Sequence, residues 1–404
     1  MVALFQDAAA QNWPGWRGPS GVGLSEEKDL PLTWNAKTGE NVLWKASLPG
    51  TTGNSGPIVW GDRVFVTTAA RQSQTEQQRE EIPEHQLWCF DVATGKLRWR
   101  TRIDHGTEVS NTETYAAPTP ATDGKAVYCW FGSAVAAAVD YNGKLLWQHE
   151  QPGPYRLNPG ICSSPVLYED TMLLLCDQGG GNGWLRALDK STGQLKWEQK
   201  RDKVSHNNGT PILIPVQGKL QLVIQASNQL QGLNPVNGEL IWWCNATGFG
   251  ASPAFGADLL YCDSGNDESG LVVVPTGKGD VTATHVKWQS AKIISQYQSA
   301  AIVGKYIYRA TKPGVIRCVD LETGKEMFAR RAPGVPTVAS PIATANERIY
   351  FASADKTYVI QGGTKLEILA VNSLDNGSGW SSPAVAAGRL FIRGDQSLFC
   401  VGKK

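Results

Sequence analysis

The sequence predicts an all-β fold, an eight-bladed β-propeller of four-stranded antiparallel blades, and three observations carry that prediction. A ten-residue phrase recurs: "DVATGKLRWR" from Asp91, "DYNGKLLWQH" from Asp140, "DKSTGQLKWE" from Asp189, "NPVNGELIWW" from Asn234 and "DLETGKEMFA" from Asp320. A hairpin pattern stands before the copies of this phrase. The two ends of the chain hold complementary fragments of one further unit.

Each element has a local reason. The first hairpin of a unit reads small-small-Pro, an apolar run, a Gly- or Asp-bearing turn and a second apolar run, as in "SSPVLYEDTMLLLC" and "SSPAVAAGRLFIRG"; that is a β-hairpin signature. The recurring phrase is the second hairpin. Its Gly can take the left-handed conformation of a bulged turn, and its leading Asp or Asn can bond turn amides. Two hairpins make four strands, A to D, in about 40 to 50 residues, the length of a propeller blade. An aromatic marks strand D: Trp99, Trp147, Trp197, Trp242, Trp288 and Phe328, with Leu369 as a weaker equivalent. These side chains are expected to be docking residues, largely buried between neighbouring blades.

The unit count follows. Seven complete units run from Asn54 to about Val371, and a last one stops after strand C at the C-terminus. The missing strand D is read in "WNAKTGENVLWKASL" from Trp34, with Trp44 as its aromatic. Pairing Trp34–Ser47 with the chain near Ser397–Val401 closes the ring and removes an open edge. The expected organisation is an N-terminal extension, 1–33, packed on a single propeller, 34–404.

Composition narrows the function classes. The chain has 404 residues, a net charge of +1 and scattered basic residues, which gives no attraction to nucleic acid or to an anionic bilayer. No apolar run reaches the length of a membrane span. The start, "MVALFQDAAAQNWPGW", ends its apolar part in small residues like a cleavage site. It is read as the tail of a removed export signal, and the expected location is periplasmic or secreted. The eight cysteines fall in strand frames, such as "LWCFD" and "LLYCD". They are expected to be buried free thiols rather than a disulfide or zinc framework.

The phrase x-x-T-G-K/Q-x-x-W, repeated around an eight-bladed ring, resembles the pyrroloquinoline-quinone-like (PQQ-like) repeat. "WPGWRGPSGVGLS" and "TGKGDVTATHVKW" are similar to segments of exported propellers of Planctomycetes-type bacteria. The resemblance covers the chain from Trp13 onward. It implies the fold and leaves three kinds of protein: quinoprotein dehydrogenases, the propeller lipoprotein of the outer-membrane β-barrel assembly machinery, and uncharacterised propellers. The dehydrogenase resemblance would bring a quinone on the axis, a calcium ion, a catalytic Asp and often adjacent cysteines. No two cysteines are adjacent here, and the segments expected at the axis are rich in neutral side chains. The lipoprotein analogy lacks an N-terminal anchoring cysteine, since the first is Cys89.

Hydrolytic motifs are missing: the five His have neither metal nor triad spacing, and there is no G-x-S-x-G or P-loop. Glu108 and Glu113 flank the "SNTETY" loop and could form an acid–base pair of a lyase or glycosidase. The reading adopted is a non-catalytic binding scaffold, monomeric, with a protein or glycan partner in the cell envelope and no cofactor. A PQQ-and-calcium dehydrogenase is the alternative, and a glycan-active enzyme the second. Long loops on one face, Arg71–Gln86 and Arg102–Thr114, are one candidate surface. The mouth of the axis is the other, where Asn54, Tyr115, Asn158, His206, Asn207, Tyr297 and Trp380 converge ahead of strands A. Trp13 and Trp16 are expected to cap a blade edge.

Overall fold

The computed structural model describes residues 12–70, 82–107, 115–155, 161–179, 181–204, 207–246, 250–263, 270–290, 297–353, 355–374 and 381–404. Among these residues the strands form eight sheets, each built on four antiparallel strands, and three of them carry a fifth short strand. Blade 3 is representative: Val166–Tyr168, Thr171–Cys176, Trp184–Asp189 and Leu195–Lys200. Its two middle strands are almost wholly buried, while the outer one alternates exposed and half-buried positions. Neighbouring blades bury the middle strands on both faces, so those strands read as continuous apolar runs.

The ring closes as expected, between chain ends. Val42–Ser47 pairs antiparallel with Ser397–Gly402, Trp44 facing Cys400 and Ser47 facing Ser397. The strand begins at Val42, eight residues later than expected. Residues ahead of it lie against blade 7 instead: Asn35 bridges Ser373, and the Trp34 amide donates to Asn372 Oδ1 (3.1 Å).

The recurring phrase has one physical job in most blades. In blade 1 Asp91 Oδ1 accepts from the amides of Ala93 (3.0 Å) and Thr94 (2.8 Å), and the Gly95 amide donates to the Asp91 carbonyl (2.9 Å). Gly95 has φ +69°, and a Cβ there would stand 2.5 Å from the indole of Trp44 on the preceding blade. The turn therefore needs Gly both for its backbone and for the bare surface on which the neighbour's ring lies. The same indole donates to the carbonyl of Val92 (2.9 Å). Trp99 to Tyr141, Trp147 to Lys190 and Trp288 to Leu321 repeat this bond, each at 2.9 Å.

Five positions depart from the expected pattern. Trp99, Trp197 and Trp288 are half-buried rather than largely buried, and the Trp197 indole nitrogen has no partner. Trp242 is fully buried but turns onto its own blade, over Gly232, and donates to Gln221 Oε1 (2.8 Å). The next blade offers it no Asp-x-x-Thr-Gly turn. That connection is longer, with a helical turn at Thr282–His285, and Gly279–Asp280 runs parallel to strand D of blade 4. In blade 7 the register places Ala370, not Leu369, opposite Val359, the position that Trp99 holds opposite Cys89. Trp34 of the N-terminal segment joins the core cluster against which Ala370 packs. Finally, the expected long loops are shorter, because Glu84–Gln86 extend strand C and Arg102–Ile103 end strand D of blade 1. All eight cysteines are free thiols, seven of them buried.

Candidate functional site

The small-small-Pro starts of the units meet around the axis. The Gly56 amide of blade 1 donates to Thr119 Oγ1 of blade 2 (2.8 Å), and the Thr119 amide donates to Ser164 Oγ of blade 3 (3.0 Å). The chain of bonds continues through Thr210, Ser252, Ser299 and Ser340 to Ser382 of blade 8, at 2.7–3.0 Å. Each bond satisfies an inner-edge amide that no further strand could pair. In most units the next residue is Pro, which has no amide to satisfy. Gly56 has no hydroxyl to continue the ring, and a Cβ there would stand 2.9 Å from the Ser382 carbonyl. Arg393 of blade 8 bridges this seam instead, donating to the carbonyls of Ser55 (3.1 Å) and Thr67 (2.9 Å) in blade 1.

The N-terminal segment fills one opening of the ring. Trp13 bridges Val59 of blade 1, the Thr122 amide of blade 2 donates to the Pro14 carbonyl (2.7 Å), and Leu24–Ser25 runs parallel to the innermost strand of blade 7. Between them Arg17 donates to the Ala300 carbonyl of blade 6 (2.6 Å). Trp13 is buried as a blade-edge cap. Trp16 is half-buried and lines a groove of about 350 Å³ between the segment and blades 2–4, with Pro19, Trp60, Pro165, Leu167 and Leu213. The Lys190–Asp123 ion pair (2.7 Å) stands at its edge. Leu167 and Leu213 continue into a second hollow bordered by Leu220 and Val236, which are 45% and 59% exposed. Sequence reasoning read "WPGW" as a structural cap, with partner docking as the lesser alternative, and did not name the groove beside it.

The expected mouth residues divide. Asn158, His206, Trp380, Glu108 and Glu113 lie outside the described residues. Tyr115 is 2% exposed and belongs to a core cluster, with His85 beside its ring (5.9 Å), so it does not line an open mouth. Asn207 is likewise buried: its amide donates to the Gln225 carbonyl and its oxygen accepts from Gly209 (3.2 Å) and Gly250 (2.9 Å). Asn54 is half-buried, its amide bonded to Ala116, and Tyr297 is 38% exposed. The polar groups that the structure does bring together in the interior are others. Asp177 is buried with Arg201 in a two-pronged pair (second contact 2.9 Å), and Arg201 also donates to Gln231 (2.7 Å). Asp263 is buried with Arg309, which also donates to Tyr261 (3.1 Å). In each pair the guanidinium offsets the charge of the carboxylate.

His85 makes this interior acid-sensitive. Its ring stacks on Phe131 (4.5 Å) and bonds Ser133 Oγ (2.6 Å). Burial, with His105 nearby, pushes its pKa from 6.5 down to about 3. Between those values the unfolded chain holds a proton that the folded chain lacks. Stability from this residue is therefore full above pH 6.5 and falls as pH drops toward 3, by about 1.4 kcal/mol per unit. Urea midpoints from pH 6 to 4 should fall less steeply for His85→Asn than for wild type; parallel slopes would refute the assignment.

The comparisons with known proteins agree with this architecture. The family described as outer membrane protein assembly factor BamB matches residues 22–180 and 181–403. A search of curated proteins finds no relative by sequence. Among solved structures, BamB from Moraxella catarrhalis superposes with a TM-score of 0.63 at 12% identity, covering 90% of this chain and 97% of that one. A europium-containing methanol dehydrogenase superposes at 0.54 and 13% identity, covering 96% and 90%. The computationally designed Ika8 protein superposes at 0.57 and 12% identity, covering 88% and 98%. At these identities the likeness is one of fold.

Proposed function

This chain belongs to the family described as outer membrane protein assembly factor BamB, and on that premise we propose that it is a non-catalytic scaffold of the cell envelope that holds a protein partner. The observation that carries the reading is the contrast between inside and outside. The described polar groups of the interior are largely spent on joining blades, while the groove beside Trp16 and its continuation to Leu220 and Val236 present apolar surface outward. Contiguous exposed apolar surface on a rigid frame suits contact with a protein segment. A glycan stacked on Trp16 is the lesser alternative.

A quinone enzyme is the competing reading, and the described residues do not fit its needs. Calcium takes six to eight oxygen ligands, several of them charged. The buried carboxylates Asp177 and Asp263 are held by arginines. Among the described residues no group of three or more His, Cys, Asp or Glu stands close enough to hold a metal ion. The scaffold reading proposes no cofactor. It also places the protein in the envelope, and no helix among the described residues is long and apolar enough to cross a membrane.

Two measurements test the proposal. Depleting the protein in its own host should lower the β-barrel protein content of the outer-membrane fraction; an unchanged profile would count against the assembly role. Purified protein supplied with pyrroloquinoline quinone and calcium should reduce no dye with alcohols or sugars. Sustained substrate-dependent reduction would transfer the assignment to a dehydrogenase.

A further inference from the structure

Arg17 is a buried cation with no anion beside it among the described residues. It is 1% exposed, and its contacts are the carbonyls of Ala300 (2.6 Å) and Pro341 (3.4 Å) and the Trp16 ring (5.5 Å). Its Nε and Nη1 have no partner. Burial lowers its pKa to about 9, and no carboxylate acts against that shift, so the group stays charged at neutral pH. A buried charge without a counter-ion is among the costliest features a fold can carry.

Hydroxyl groups neighbour the Arg17 contacts along the chain. Ser299 and Ser340 immediately precede the two residues whose carbonyls hold the guanidinium, and both belong to the hydroxyl ring. All seven ring hydroxyls accept a backbone amide, and none donates to a group of the described residues. A hydroxyl oxygen that accepts still has a proton to give. Arg393, on the seam of the same ring, is also fully buried, with Nε and Nη2 unpartnered.

We propose that a small inorganic anion of about chloride size is bound beside the buried Arg17 guanidinium, at its unpartnered Nε and Nη1, with the hydroxyls next to its carbonyl contacts as further donors. Water fits less well. It would accept from these donors, but it would leave the charge of the buried guanidinium uncompensated. Close packing favours a small ion: Arg17 is 1% exposed, and a Cβ on Gly23 would stand 2.7 Å from its Nη2. The N-terminal segment covers the site, which suits a resident structural ion rather than a turnover substrate. The site goes beyond the scaffold reading and stands whichever partner the outer surface takes.

The test uses the full chain exchanged into sodium gluconate. At constant ionic strength, added chloride or bromide should raise the melting temperature saturably, by about 2 °C or more. Arg17→Met should melt at a temperature that no longer responds to chloride. Coincident chloride and gluconate curves for the wild type would overturn the proposal. If the variant does not fold, wild-type crystals grown in bromide decide: an anomalous peak beside Arg17 supports the site, and bromide at surface positions only overturns it.

Discussion

Removing residues 1–48 is expected to abolish the monomer. The deletion takes away Val42–Ser47, the outer strand of blade 8, and with it the pairing to Ser397–Gly402. All six residues of that partner strand are buried, so the cut exposes an apolar, unpaired edge of the kind that recruits other chains. It also removes Trp44, whose indole bonds Val92 across the seam between blades 8 and 1. The axial contacts of Trp13, Arg17 and Leu24–Ser25 go with it. Size-exclusion chromatography should show aggregate in place of the monomer peak. A truncated chain that stays monomeric and melts like wild type would show that the ring does not depend on its terminal strand.

The second large effect is expected at Trp147. The residue is 8% exposed, donates to the Lys190 carbonyl of the next blade (2.9 Å), and lies over Gly193, where a Cβ would stand 2.5 Å from the ring. His149 stacks beside it (5.8 Å). Trp147→Ala opens a void between two blades and should cost about 3–5 kcal/mol, as large aromatic truncations in cores do. Trp197→Ala should cost less, because that indole is half-buried and its nitrogen has no partner. Denaturant midpoints of the two variants measure the difference. A Trp147→Ala midpoint equal to wild type would remove the blade-to-blade role assigned to this side chain.

How much was legible follows the range of each interaction. The Asp-x-x-Thr-Gly turn is written within five residues, because its bonds run from Asp91 to Thr94 and Gly95. Repeated along the chain, it reveals the blade count without any knowledge of contacts. The matching fragments at the two ends reveal the closure for the same reason. A repeat, however, describes an average blade. It assigned Leu369 to a position that the register gives to Ala370, because the C–D connection of blade 7 is one residue longer than that of blade 1: Val359 faces Ala370, whereas Cys89 faces Trp99. It counted Trp242 among side chains that dock on the next blade, although the next blade lacks the turn to receive it.

The candidate site was less legible still. Tyr115 and Asn207 stand where a repeat places axial residues, yet side-chain direction depends on neighbours from other blades, and both are absorbed into the interior. The sequence by itself determined what recurs locally: strand periodicity, turn chemistry, eight units and a ring closed by its ends. Only the tertiary structure decided what depends on partners far along the chain. The hydroxyl ring joins residues of successive blades, such as Ser252 and Ser299, and Arg17 meets a carbonyl 283 residues away. Such contacts leave no period in the sequence, because each forms only when the blades have already been brought around one axis.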